Sequence, residues 1–170
     1  RTTSGTAAGT YTVRVVDANG CKDTASATLT VNTKPNVTLT NATICSGDAA
    51  ATFDAGAGYT SYLWSGNATG TAQATSGTTA GNYIVAVVDA NGCKDTASAI
   101  LVVNALPVVN LGADVEVCYG TAATTFDAGN LGLLYDWSNG ANTKSISTTI
   151  DGDYIVQVTD LNGCKGRDTV

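Results

Sequence analysis

Five cysteines, Cys21, Cys45, Cys93, Cys118 and Cys164, are the residues of this chain best equipped for covalent chemistry. Thiols can cross-link, hold a metal or attack an electrophile, but the chain has no histidine to act as base or as partner ligand. General acid–base work would fall to carboxylates, lysine or tyrosine. No Ser or Cys has an evident base beside it, so no catalytic residue is assigned and no enzyme activity is expected. The cysteines fall one early and one late in each of two similar stretches. That spacing predicts disulfides Cys45–Cys93 and Cys118–Cys164, with Cys21 pairing outside the chain. Closing a loop of roughly 48 residues would stabilise by about 4 kcal/mol if chain entropy dominates. The alternative is five reduced, buried thiols in a cytosolic protein.

A second chemistry is cation binding. Asp89-x-Asn91-Gly92-x-x-Asp95 and Asp151-Gly152-Asp153 are similar to pieces of a calcium loop, which gathers about six to eight oxygens. Cys93 interrupts the first segment, and Asn91-Gly92 suits a two-residue type I′ hairpin turn better. The turn is the favoured reading and no metal ligand is assigned. Calcium at domain junctions is kept as a second candidate and is the sole cofactor considered.

The elements that carry these residues are repeated. Gly9–Asn32 and Gly81–Asn104 differ at only five of 24 positions, at a constant offset of 72 residues. A diverged third copy runs from Asp151 to Val170. The earlier halves also align: Pro35 with Pro107, Cys45 with Cys118, Phe53–Gly56 with Phe126–Gly129, and Trp64 with Trp137. Val170 aligns with Ala97 if Gly166-Arg167 is a two-residue insertion. Both ends of the chain then interrupt a repeat, as in an excerpt of a longer polypeptide.

Alternation with period two and turn signals about every 8 to 12 residues predicts an all-β, immunoglobulin-like sandwich. In the middle copy the expected strands lie near 36–40, 49–54, 59–65, 71–76, 82–89 and 95–103. Tyr11/Tyr83/Tyr154, Val13/Val85/Val156 and Val15/Val87/Val158 are the same in all three copies, while the positions between them vary. Successive side chains point to opposite faces, so the constant set is expected inward together with Ala99, Leu101 and Val103. Trp64 and Trp137 are expected as core rings beside the disulfide. Tyr83 and Tyr154 are expected to tie their hydroxyls back to backbone, as in a tyrosine corner. The division is 1–32 (the C-terminal part of one repeat), 33–104 (a complete repeat) and 105–170 (a repeat lacking the end of its last strand). The linkers Asn32–Pro35 and Asn104–Pro107 hold proline without a Gly/Ser run, which predicts a stiff rod.

A net charge of −6, with eight Lys and Arg in total, offers no basic patch for nucleic acid. No apolar run is long enough to span a bilayer.

The succession of Cys45, Phe53-Asp54-Ala55-Gly56, Tyr62-x-Trp64-Ser65 and G-x-Y-x-V-x-V-x-D-x-N-G-C resembles the immunoglobulin-like/PKD-like repeats of large Bacteroidota cell-surface proteins. Those include gliding adhesins and other proteins exported by the type IX system. The resemblance implies an extracellular, disulfide-stapled structural or adhesive rod or filament. Its implied partners are neighbouring repeats or subunits and surface glycans. A carbohydrate-binding or spacer module of a secreted hydrolase is the alternative, although only Tyr59 and Tyr119 are then left for stacking on sugars. Asp23-Thr24-Ala25, Asp95-Thr96-Ala97 and Asp168-Thr169-Val170 are similar to the O-glycosylation signal of that phylum, marking Thr24, Thr96 and Thr169. Asn36, Asn41 and Asn67 match the N-glycan acceptor pattern, one frequent by chance in a Thr-rich chain.

One outward face differs between copies. Thr12, Arg14, Thr28 and Thr30 in the first become Ile84, Ala86, Ile100 and Val102 in the middle copy, a candidate interface with a neighbouring subunit or domain. Residues 1–32 hold too few strands to fold alone. Either the rest of that repeat lies outside the chain, or another chain completes it by strand addition.

Overall fold

The computed structural model of the chain describes residues 2–129, 132 and 134–170, which form strands and no helix. The first segment is a lone hairpin of β1 (Gly9–Val16) and β2 (Lys22–Leu29). The middle segment holds β3 (Ala42–Cys45), β4 (Ala51–Asp54), β5 (Ser61–Gly66), β6 (Ala74–Gly77), β7 (Gly81–Val88) and β8 (Lys94–Asn104). They make a sheet in the order β3-β8-β7-β5 and a smaller pair β4-β6. The last segment repeats the plan with β9 (Thr124–Asp127), β10 (Leu134–Trp137), β11 (Ser145–Thr148), β12 (Ile155–Thr159) and β13 (Lys165–Thr169), ordered β10-β12-β13 and β11-β9.

Alternation along β7 and β8 sets the middle core. Tyr83, Val85 and Val87 are fully buried, with Ala99 and Leu101 nearly so, against Phe53, Ala55 and Trp64. Phe53 on the small sheet stacks on Tyr83 of the large one at 4.3 Å between ring centroids, so the two sheets close face to face. A second core gathers Val109, Ala128, Trp137, Ile146, Val156 and Val158. In β1, Tyr11, Val13 and Val15 are 37%, 56% and 55% exposed. The same side chains that fill the middle core have no facing sheet in this hairpin.

The recurring motifs resolve into fold-building roles. In Phe53-Asp54-Ala55-Gly56 the Phe and Ala are buried, Gly56 has φ 77°, and Asp54 Oδ1 accepts from the Gly56 N–H. Asp127 does the same for Gly129. Tyr62 and Tyr135 then donate their hydroxyls to the carbonyls of Gly56 and Gly129. Trp64 and Trp137 are buried, and their indole N–H groups donate to Ala72 and Thr143 carbonyls. Neither core contains a disulfide, so these rings do not sit beside one. Tyr11, Tyr83 and Tyr154 donate to carbonyls four residues upstream, at Ala7, Thr79 and Ile150, forming the expected tyrosine corner. Gly77 makes room for the Tyr83 hydroxyl, which lies 2.0 Å from where a Cβ would stand. In the last segment Thr148 takes that place and bonds the Tyr154 hydroxyl instead.

Three features differ from expectation. Residues 36–40 are not a strand, because the Val37 N–H bonds the Asp95 carboxylate rather than a ladder partner. The strand lies at 42–45 and runs parallel to the far end of β8, Ala42 opposite Leu101 and Cys45 opposite Asn104. The Asn-Gly hairpin is not type I′: among the described residues no non-glycine residue has positive φ. Instead the Gly92 N–H returns to the Asp89 carbonyl, Gly92 takes φ 81°, and the Asp89 N–H closes on Cys93. That is a three-residue loop built from a type I turn and a glycine bulge. Finally, Gly166-Arg167 is not an insertion. Val85 faces Ala97 and Val156 faces Asp168 in uninterrupted ladders, so Val170 corresponds to Ala99.

Candidate functional site at the junction of two cores

The one disulfide among the described residues joins Cys45 to Cys164, with 5.5 Å between Cα atoms. Cys93, Cys118 and Cys21 are free. The expected pairs Cys45–Cys93 and Cys118–Cys164 are therefore corrected, and strand direction is the reason. Cys45 sits opposite Asn104, whereas Cys93 immediately precedes the first residue of β8. The length of β8 separates them, on the order of 30 Å at the rise of an extended chain. A disulfide needs Cα atoms within about 7 Å. Cys45 thus stands at the end of the middle segment where residue 105 departs. The β12–β13 hairpin of the next segment brings Cys164 back to that same end, where it is 1% exposed.

Both cysteines are carried on built turns. Asp160 Oδ1 accepts from the N–H groups of Asn162 and Cys164, fixing the loop that ends in Cys164. Asp48 accepts from the Cys45 N–H, and its own N–H returns to the Cys45 carbonyl. The covalent link is reinforced by how each linker lies on the segment after it. Lys34 pairs with Asp95 at 2.5 Å, and Asp95 also accepts from Val37. The Lys34 hydrogen bond, followed by those from the Val37 and Thr96 backbone, lowers the Asp95 pKa to about 2. In the last segment Gly166 occupies the corresponding strand position. A Cβ there would stand 2.0 Å from the Pro107 carbonyl oxygen, so glycine lets the linker press onto β13. The carboxylate has moved two residues along the same face, where Asp168 accepts from the Leu111 N–H.

Asp54 and Asp127 also have lowered pKa values. The main cause for Asp54 is the Gln73 hydrogen bond, ahead of Gly56; for Asp127 it is the Gly129 N–H, with Lys144 contributing. These carboxylates are held as anions that brace turns, the opposite of what a general acid requires.

The remaining candidates are distributed over the surface. Thr24, Thr96 and Thr169 are exposed on β2, β8 and β13, but Asp168-Thr169 stands two positions further along its strand than Asp95-Thr96. Asn67 Nδ2, the atom a glycan would use, donates to the Ala80 carbonyl, and Asn41 Oδ1 accepts from Ile100. Asn36 gives its carbonyl to the Tyr59 hydroxyl. Asp89 Oδ1 is taken by Asn91 and Cys93 N–H groups. Among the described residues no three His, Cys, Asp or Glu side chains gather as a metal group would.

Ile84, Ala86, Ile100 and Val102 share the outer face of the large sheet, with Ile100 and Val102 exposed and Ile84 and Ala86 half-buried. Ile84 faces Ser98 and Ile100 faces Asn82, so the two isoleucines are not direct partners. Leu63 on β5, opposite Ala86, extends this face and is 60% exposed. Sequence reasoning missed it, although its place between inward Tyr62 and Trp64 already marks it as outward. An open groove of about 1010 Å³ lies between Val115–Cys118 and Thr148–Tyr154. Residues 115–118 on its wall correspond in sequence to β3 of the middle segment.

No known protein-family model matches the chain, and no characterised protein matches it in sequence.

Proposed function

We propose that the chain is a structural or adhesive region of an extracellular protein, built from immunoglobulin-like (PKD-like) repeats of about 72 residues strung into a rod. The observation that carries this reading is the Cys45–Cys164 bond, which ties two successive cores across a junction. A bond between cores does little for the chemistry of either core but resists bending and pulling apart where they meet. Persistent disulfides also belong to oxidising surroundings, in keeping with a secreted or surface-displayed protein. The short linkers, each laid onto the next segment by Asp95 or Asp168, support stiffness in the same direction. The motif residues are engaged in turns and cores, and Asp54, Asp95 and Asp127 are held as anions by the hydrogen bonds they accept, which supports a non-enzymatic role.

The similarity of the motifs to Bacteroidota surface repeats makes such a cell-surface adhesin or filament the reading that fits best. Thr24, Thr96 and Thr169 would be its modification sites and the Leu63–Ile84–Ile100 face its contact with a neighbouring subunit. The sugar-binding alternative is weakened because Tyr59 packs against Tyr62 and hydrogen-bonds Asn36, which leaves Tyr119 as an isolated exposed ring. Electron microscopy of the native protein, released from cells without reductant, tests the proposal. Slender rods or fibres of regular substructure are expected, and compact round particles would end it.

A further inference from the structure

Two of the free cysteines are presented on the same turns as the bonded pair. Cys118 opens a Cys-x-Gly turn in which the Thr121 N–H returns to the Cys118 carbonyl and Gly120 has φ 83°. Cys45 opens the equivalent turn, with Asp48 returning to the Cys45 carbonyl and Gly47 at φ 90°. Cys93 closes an Asp-x-Asn-Gly loop in which Asp89 Oδ1 accepts from Asn91 and Cys93. Asp160 holds Cys164 in an identical pattern, and Asp17 holds Cys21 likewise. The middle segment therefore displays one kind of cysteine turn at one end of β8, where Cys45 lies opposite Asn104, and the other kind at the opposite end, where Cys93 precedes Lys94. Cys45 and Cys164 show what the two kinds do when they meet.

We infer that Cys118 and Cys93 are the two halves of further junction disulfides: Cys118 bonds the Asn-Gly-Cys cysteine of a following repeat, and Cys93 bonds the Cys-x-Gly cysteine of a preceding one. One such bond per junction would make a covalent ladder running along the rod, so the inference rests on the repeat-rod reading. Within the chain these two cannot satisfy each other, since Cys93 lies at the far end of the middle segment from the junction and Cys118 belongs to the segment beyond it. Both remain accessible to a partner: Cys118 is exposed, and Cys93 is half-buried as bonded Cys45 is. Forming each bond removes two protons and two electrons from two thiols. A disulfide oxidant, either a small-molecule disulfide or a disulfide-bearing oxidoreductase, accepts them through a mixed disulfide and leaves as two thiols.

The test is a non-reducing peptide map of the native polypeptide that carries this chain, with free thiols blocked by N-ethylmaleimide before unfolding. The expected map links the Cys118 peptide to one containing Asn-Gly-Cys other than that of Cys164, and the Cys93 peptide to one containing Cys-x-Gly other than that of Cys45. Blocked Cys118 and Cys93, linkage to a small thiol, or the pairs Cys118–Cys164 and Cys45–Cys93 would each overturn it. A non-reducing gel separates the two sources of the partner repeat, since links along one polypeptide leave its size unchanged and links between copies give reducible multimers. Failure here with rods still seen in micrographs would remove the ladder and leave the rod. Round particles with the expected links would do the reverse.

Discussion

Replacing Cys45 by Ser separates junction bonding from bonding within a repeat, because the two arrangements destabilise different halves of the molecule. Cys45 is anchored opposite Asn104, so in the intact protein the last segment is held at both its start and its hairpin. If that segment unfolds while the middle one stays folded, the bond closes a loop from Asn104 to Cys164, roughly 60 residues. In the chain-entropy model, closing such a loop is worth about 4 kcal/mol, or roughly three powers of ten in the opening equilibrium. Hydrogen exchange followed by mass spectrometry reads both segments in one sample. Protection of Val156 and Val158 on β12 is expected to fall by up to about a thousandfold in Cys45→Ser. Protection of Val85 and Val87 on β7 is expected to stay as it was. Loss of protection on β7 with β12 unchanged would show that Cys45 staples its own segment, and the junction argument would fail.

Three further outcomes follow from the same geometry. Gly166→Ala puts a methyl group against the Pro107 carbonyl, and thermal unfolding should show the last segment destabilised by about 1–3 kcal/mol; an unchanged transition would mean the linker does not rest there. Asp95, whose pKa falls from 3.8 to about 2 on folding, contributes stability that is present above the higher value and lost as pH falls through the lower. The melting-temperature difference between the protein and Asp95→Asn should therefore shrink between about pH 4 and pH 2, and a constant difference would refute the brace. Replacing Ile84 and Ile100 by Thr, as in the first copy, should abolish association measured by sedimentation, with folding kept; undiminished association would show that the face makes no contact.

Much of the fold was legible because the chain compares itself. Constant Tyr83, Val85 and Val87 between varying neighbours identified the inward face, and all three are fully buried. The tyrosine corner followed from G-x-Y spacing and is present in all three copies. Strand direction was not legible. Period-two alternation records which face is buried but carries no information about which partner a strand takes or which way it runs. Val37 and Leu39 therefore passed for a strand, while Ala42–Cys45 was overlooked. The disulfides were hidden for the same reason, since cysteine spacing alone does not show that the parallel β3 carries Cys45 to the end of β8 away from Cys93. The type of the Asn-Gly turn was also hidden, because the Asp89 side chain stabilises the alternative loop through two backbone N–H groups. The register of the last strand turned on a single substitution. Reading Gly166-Arg167 as an insertion kept Asp168 aligned with Asp95, whereas close approach of Pro107 explains the glycine and the two-residue move of the carboxylate.

The central claim is that successive cores are locked in series by a bond across their junction, and a disulfide map of this 170-residue chain tests it most directly. Oxidised, thiol-blocked and digested without reductant, the chain should yield the Cys45 peptide joined to the Cys164 peptide, with Cys93 and Cys118 labelled. Recovery of Cys45 joined to Cys93 and Cys118 joined to Cys164 would contradict it.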